Sequence, residues 1–250
     1  MAGAPAGRKV AHRLWQGLSE EKLQILPPNS VDLVLTDPPF GVDNHSNMSR
    51  THEGKSFARK IANDKDVNQA IETFFKVMDV LLPKTKADCD LYVFTADEVL
   101  MEWLGVMREL ERRHGFEFTR TLVWRKGEVN GGQSPGMGDL KTWGSGVEFI
   151  LYAKKGRKPM YGDRRGAVID CPTVTAGKLI HPHEKPTRLI QTLIEFSTEP
   201  GDLVVDPFCG SGSTARAALR SNRSCITVEY DKVNHRRAVE KFETEKNSIF

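Results

Sequence analysis

Cysteine is scarce. The four present in 250 residues, Cys89, Cys171, Cys209 and Cys225, lie far apart and form no C-x-x-C pair. That pattern argues against a zinc ribbon or a disulfide framework, gives no metal to expect, and fits a reducing compartment such as the cytoplasm. Long apolar runs are missing too. No stretch approaches the roughly 20 residues of a membrane span, and the opening MAGAPAGRKVAHRLW has no apolar signal core. Nor does charge of one sign dominate: 36 Lys and Arg against 33 Asp and Glu leave a net charge of +3. So mild an excess neither demands nor excludes nucleic acid, because local clustering matters more than the total. There is no internal repeat and no low-complexity block. With 39% hydrophobic and 28% charged residues, the chain has the balance of a soluble enzyme.

What is present is a rhythm. Short apolar runs alternate with helical patterns, which predicts an α/β domain with a mostly parallel sheet and helices on both faces. Strands are expected at 31–37, 90–96, 118–126, 146–154, 202–208 and 224–230. Helices are expected at 67–82, 97–113, 186–197, 213–221 and 231–246, with Pro186 in a first turn and Asp231 as an N-cap. Three segments break the rhythm. Residues 41–66 are polar and long for a loop, which suggests a lid or binding loop. Residues 127–146 are glycine-rich, and residues 154–180 carry a basic run.

Two turns carry the chemistry. The strand VDLVL runs into TDPPFG at 36–41. Two prolines cannot continue a ladder, so this is a rigid projection at a strand's carboxyl end holding a carboxylate, a carbonyl and an aromatic face. Further on, DLVVDPFCGSGSTARAALRS reads as strand, tight turn and helix, with Gly210, Gly212 and Ala215 in the spacing G-x-G-x-x-G/A. The next strand ends in Glu229, near the offset of a carboxylate that bonds ribose hydroxyls. Together these predict a nucleoside-cofactor site. Pro207 and Phe208 put an apolar ring at the turn, which suits an adenosine with an uncharged thioether chain better than a pyrophosphate. If the two strands are neighbours, the carboxylate and carbonyl of the first turn face a cofactor on the second, an arrangement suited to methyl transfer onto an exocyclic amino nitrogen.

The pairing of DPPF with a later DPFCGSGSTA resembles the amino-methylating DNA methyltransferases, which modify adenine N6 or cytosine N4, and the motif order resembles their permuted β group. The stretch HPHEKPTRLIQTLI resembles that family's H-P-x-x-K-P motif, and the resemblance spans about residues 12–245. It implies a single Rossmann-like catalytic domain over 1–250, with a mobile loop at 41–66 and a small target-recognition insert within 127–180. S-adenosylmethionine is the implied cofactor, double-stranded DNA the partner, and a homodimer an expectation. Asp37 and the Pro38 carbonyl, braced by Pro39, would hold the target amine, with Phe40 stacked on the base. Asp206, Phe208, Gly210, Ser211, Gly212, Ser213 and Thr214 would line the cofactor pocket, Glu229 would bind the ribose, and His181, Lys185 and Pro186 would shape the methionine end. Asp at the first catalytic position leans toward adenine in this family. One departure is the absence of a Gly-Asp pair before the catalytic strand, where Gln16 and Gly17 stand instead.

A duplex hides its amino groups, so the target base must be flipped out at a cost of a few kcal/mol. Lys and Arg are then needed to grip the backbone. The candidates are Arg50, Lys55, Arg59 and Lys60 in the first loop and Lys154, Lys155, Arg157, Lys158, Arg164 and Arg165 in the basic run. Trp124 is expected in the core, and Asp170 and Cys171 are expected to be structural.

Overall fold

A computed structural model describes residues 10–41, 66–127, 146–162, 165–174 and 184–249. In chain order the elements are β1 (His12–Gln16), α1 (Ser19–Lys22), β2 (Val31–Thr36), α2 (Val67–Leu81), β3 (Thr85–Thr95), α3 (Leu100–His114), β4 (Glu117–Arg125), β5 (Val147–Lys155), β6 (Val168–Asp170), α4 (Thr187–Ser197), β7 (Leu203–Asp206), α5 (Ser213–Arg220), β8 (Ser224–Glu229) and α6 (Lys232–Ile249). They form one eight-stranded sheet in the order β1-β8-β7-β2-β3-β5-β4-β6.

The expected strands and helices are all present. α1, β1 and β6 are additional. α1 has four residues, and the two strands are short edge strands, β1 reading HRLWQ, with too many polar side chains to announce a buried run. The sheet is parallel except at β5, which runs against both β3 and β4. Chain from α3 enters β4 one place beyond β3, and β5 then turns back into the gap between them. That makes the sheet mixed at one side while leaving the β1-to-β3 side parallel.

Alternation along the strands divides the core into two layers. Val34, Leu91, Val93, Leu151 and Val205 face α2 and α3, with Phe74, Met78, Trp103 and Leu110 packed on them. Leu33, Leu35, Tyr92, Phe94, Ile150 and Val204 face the other way, under Leu189, Leu193 and Ile194 of α4, Ala215 and Ala218 of α5 and Phe242 of α6. Trp124 belongs to this second layer as expected, and its indole N–H donates to the Cys171 carbonyl at 2.7 Å. Helix starts follow the sequence signals. Asp231 Oδ1 accepts from the Val233 and Asn234 amides, and Asp66 caps α2 by accepting from Asn68 and Gln69. Replacing Asp66 with alanine should therefore cost about 1 kcal/mol, seen as a lowered urea midpoint with an unchanged slope.

Candidate active site

β2 and β7 are hydrogen-bonded neighbours running parallel, with Leu33 opposite Val204 and Val34 opposite Val205. The sheet continues from β2 to β3 on one side and from β7 to β8 on the other. Strand order therefore reverses between them, which is where an open α/β sheet forms a crevice beyond its carboxyl ends. Asp37-Pro38-Pro39-Phe40 leaves β2 at that edge, and Asp206-Pro207-Phe208 leaves β7 beside it.

The glycine turn divides its work. Gly210 and Gly212 both have left-handed backbones, at φ +52° and +75°. A Cβ on Gly212 would come within 3.1 Å of Ala238 Cβ, whereas one on Gly210 would meet no described atom within 4 Å. Gly212 thus lets α6 pack closely, and Gly210 is the residue that leaves room above the backbone. Glu229, at the end of β8, accepts from the Gly210 amide at 2.8 Å and the Asp231 amide at 2.9 Å. A carboxylate has about four acceptor positions, so it still has capacity for a ligand hydroxyl. Burial raises Glu229 above the ordinary carboxyl range. Gln16 and Gly17 lie next to it: Gly17 N–H donates to the Glu229 carbonyl, and the Gln16 amide donates to that of Tyr230.

Asp206 is buried under the turn. Its oxygens accept from the Phe208 amide at 3.0 Å and the Thr214 hydroxyl at 2.6 Å. Burial pushes its carboxyl up to about 7, those two hydrogen bonds oppose the shift, and the charges of Asp37 and Glu229 reinforce it. Three carboxylates thus converge on one crevice. A guest carrying positive charge fits that field.

Lys185 enters from the other side. Its segment is held down where Ser213 Oγ donates to the Lys185 carbonyl at 2.7 Å, and where Glu184 accepts from Arg216 at 2.8 Å and Lys241 at 2.5 Å. The Lys185 ammonium is 2.8 Å from Asp37 Oδ2 and 3.2 Å from Glu148 Oε2. It also lies 5.5 Å from the Phe40 ring centre and 5.3 Å from that of Phe94. Burial favours the neutral amine, but the two carboxylates outweigh it and hold Lys185 charged well above the usual lysine range. Glu148 reaches a second ammonium, Lys126 Nζ, at 3.0 Å. Burial works to raise Glu148, and Lys185 and Lys126 together bring it below the ordinary value. The sequence reading placed Lys185 near a cofactor's methionine end; here its ammonium is on Asp37. Glu148 and Lys126 were missed, although an acid inside GVEFILYAK was a readable signal, since a carboxylate in a buried strand needs a partner.

A family profile described as a DNA methylase, of the N6/N4 type, matches residues 170–240. The chain is similar to YubD of Escherichia coli (strain K12), a methylase by name, with 29% identity over 232 residues covering 90% of this chain and 87% of YubD. It is also similar to the DNA adenine methyltransferase YhdJ of the same strain, 25% identical over 242 residues, covering 83% and 74% of the two chains. Among solved structures, the cytosine-N4-specific PvuII DNA methyltransferase superposes with a TM-score of 0.70 at 19% identity, over 99% of this chain and 95% of that one. Together these likenesses support an amino-methyltransferase of the N6-adenine and N4-cytosine superfamily. Its order, with the DPPF turn ahead of the glycine turn, is that of the β class.

For a chain with these likenesses, the basic residues distribute unexpectedly. β5 runs antiparallel to β3, so Phe149 pairs with Thr95 at the crevice edge while Lys154 and Lys155 pair with Asp90 and Cys89. Six residues at about 3.3–3.4 Å each put Lys155 about 20 Å from that edge. The Arg157 and Lys158 amides donate to Asp88 Oδ1. Lys158 Nζ turns inward to the Ser197 carbonyl at 2.7 Å and lies 3.6 Å from Asp90. The structure therefore does not bring Lys154, Lys155, Arg157 or Lys158 to the crevice. Arg165 rests 6.0 Å over the Phe196 ring. Arg50, Lys55, Arg59, Lys60, Arg164 and His181 lie outside the described residues. Arg125 and Lys126, at the carboxyl end of β4, are opposite Val147 and close to Glu148; Arg125 is paired with Asp170. Among the described residues no cluster of His, Cys, Asp and Glu is arranged to hold a metal, and no helix is long and apolar enough to cross a membrane.

Proposed function

We propose that this protein transfers a methyl group from S-adenosylmethionine to the N6 amino group of an adenine flipped out of double-stranded DNA. The observation that carries the reading is the meeting of the Asp37 turn and the glycine turn at one switch point, in a crevice ringed by Asp37, Asp206 and Glu229. S-adenosylmethionine fits that donor set: its sulfonium and ammonium suit the carboxylates, its ribose suits Glu229, and the open face of Gly210 leaves space for it. When bound, it supplies an electrophilic methyl carbon.

The remaining work falls to the chain. An aromatic amine is a poor nucleophile because its lone pair is delocalised into the ring. Asp37 and the Pro38 carbonyl would accept its two N–H hydrogens, drawing the nitrogen toward a tetrahedral shape and stabilising the positive charge that develops on it. Phe40 would stack on the extruded ring, offsetting part of the cost of flipping. Adenine is favoured over cytosine by the aspartate at position 37 and by the likeness to YhdJ.

The test is to incubate protein, labelled cofactor and duplex DNA, then digest and identify the nucleoside by mass spectrometry. N6-methyladenosine is expected; N4-methylcytosine would reverse the choice of base, and no labelled nucleoside would overturn the activity. Phe40→Ala should weaken binding of a flipped base by about 1–3 kcal/mol, roughly 5- to 150-fold. That is measurable as lost fluorescence of 2-aminopurine placed at the target, with cofactor affinity retained.

A further inference from the structure

The Lys185 ammonium is shared. It sits 2.8 Å from Asp37 on one side and 3.2 Å from Glu148 on the other, and only 6% of its side chain is exposed. Glu148 comes from β5, the strand that runs against its neighbours, and stands opposite Trp124 of β4. Its Oε1 is taken by Lys126, while no donor among the described residues is aligned on its buried Oε2. The Lys185 ammonium stands 3.2 Å from that oxygen but lies closer to Asp37. A buried carboxylate is costly unless it is paired, and Glu148 is paired with two ammonium groups, one of which it shares with Asp37.

We propose that Glu148 is a positioning residue for methyl transfer: it draws the Lys185 ammonium partly away from Asp37, so that the Asp37 carboxylate keeps acceptor strength for the target amine. This rests on the methyl-transfer reading above. An ammonium has three N–H donors and no acceptor. Shared between two carboxylates, it orients Asp37 without neutralising it. Left with Asp37 alone, it closes into a tight pair, and the aspartate becomes a weaker acceptor when charge develops on the substrate nitrogen. The loss then falls on kcat, because stacking on Phe40 and contacts to the DNA backbone are untouched.

The charged groups facing this pair are known element by element. Asp37 comes from the turn after β2, Asp206 ends β7 and acts on Asp37 through its charge, and Lys126 directly follows β4; Glu98, with Asp97 beside it, faces Lys126 from the turn after β3. Burial alone drives Lys185 toward the neutral amine, so removing one of its two anionic partners lowers the pH at which it loses its proton.

The experiment compares wild type, Glu148→Gln and Glu148→Asp in single-turnover methyl transfer, with the KM for DNA, calorimetric cofactor affinity and melting temperature measured alongside. Glu148→Gln is expected to lower kcat by tenfold or more (on the order of one pKa unit of differential interaction), with the KM for DNA and the cofactor affinity changed far less, and Glu148→Asp should recover part of the rate. A merely structural glutamate would change melting temperature and leave the kcat of the folded protein unchanged. If Glu148→Gln does not fold, Glu148→Asp decides, through an intermediate kcat at a near-normal KM. Wild-type kcat in the folded variants would overturn the inference alone. Failure of the wild-type protein to methylate would overturn the reading beneath it as well.

Discussion

Replacing Asp37 with alanine is expected to lower kcat by about 10²–10³-fold, the scale seen when one preorganised group that stabilises developing charge is removed. Cofactor binding should survive. Asp37 belongs to the β2 turn, while Gly210, Asp206 and Glu229 are organised by their own hydrogen bonds on the β7 and β8 side. The fold should survive too, since Lys185 retains Glu148 as a counter-ion. Asp37→Asn sharpens the test. The amide keeps an acceptor oxygen of the same shape, so a role in shape alone predicts near-normal rates. A role that depends on charge predicts a loss close to that of alanine, since the amide neither stabilises positive charge on the nitrogen nor holds the Lys185 ammonium. Rapid-quench methyl transfer with saturating DNA measures the step directly, and turnover within a few-fold of wild type in both variants would remove Asp37 from the chemistry.

The second large effect is a pH dependence of cofactor binding centred on Asp206. Burial raises its carboxyl from the ordinary 3.8 to about 7, so below that pH the empty protein holds it largely protonated. A cationic ligand beside it favours the ionised form, so binding should release a proton and tighten as pH rises toward about 7, by up to about tenfold per pH unit, then level off. The stability of the empty protein should move the other way. A group whose folded value lies above its unfolded one contributes fully below the unfolded pKa, and that contribution is lost as pH rises through the folded one. The melting temperature of the empty protein should therefore decline between about pH 4 and pH 7 from this group, and cofactor should restore it. Asp206→Asn should abolish the proton release and weaken binding at pH 8 by roughly 10- to 150-fold, the worth of a hydrogen bond to a charged group. Calorimetry in two buffers of different ionisation enthalpy counts the protons. A dissociation constant flat from pH 5.5 to 8 would sink the assignment.

Much of this was legible in the chain because it is encoded locally. TDPPFG announces a rigid strand exit through its two prolines, and DPFCGSGSTA announces a glycine turn through spacing that only close backbone approach requires. The elements between them declared themselves through periodicity, since one-sided burial leaves a repeat of two or of 3.6 in the sequence. What escaped was short or non-local. β6 has three residues, too few to carry a repeat. The direction of β5 depends on where the chain re-enters the sheet, and that single reversal moved Lys154 and Lys155 away from the crevice and brought Glu148 to it.

Sequence alone therefore determined the fold class, the two turns and the residue types each presents, because backbone sterics and hydrophobic alternation act over a few positions. Only the tertiary structure decided that Lys185 meets Asp37, that Glu148 shares it, and that the basic run starts at the far edge of the sheet. Those facts depend on strand order and register, which bring Asp37 beside Glu148 and Lys185 from more than a hundred residues away, and burial there sets how strongly the charges act on one another.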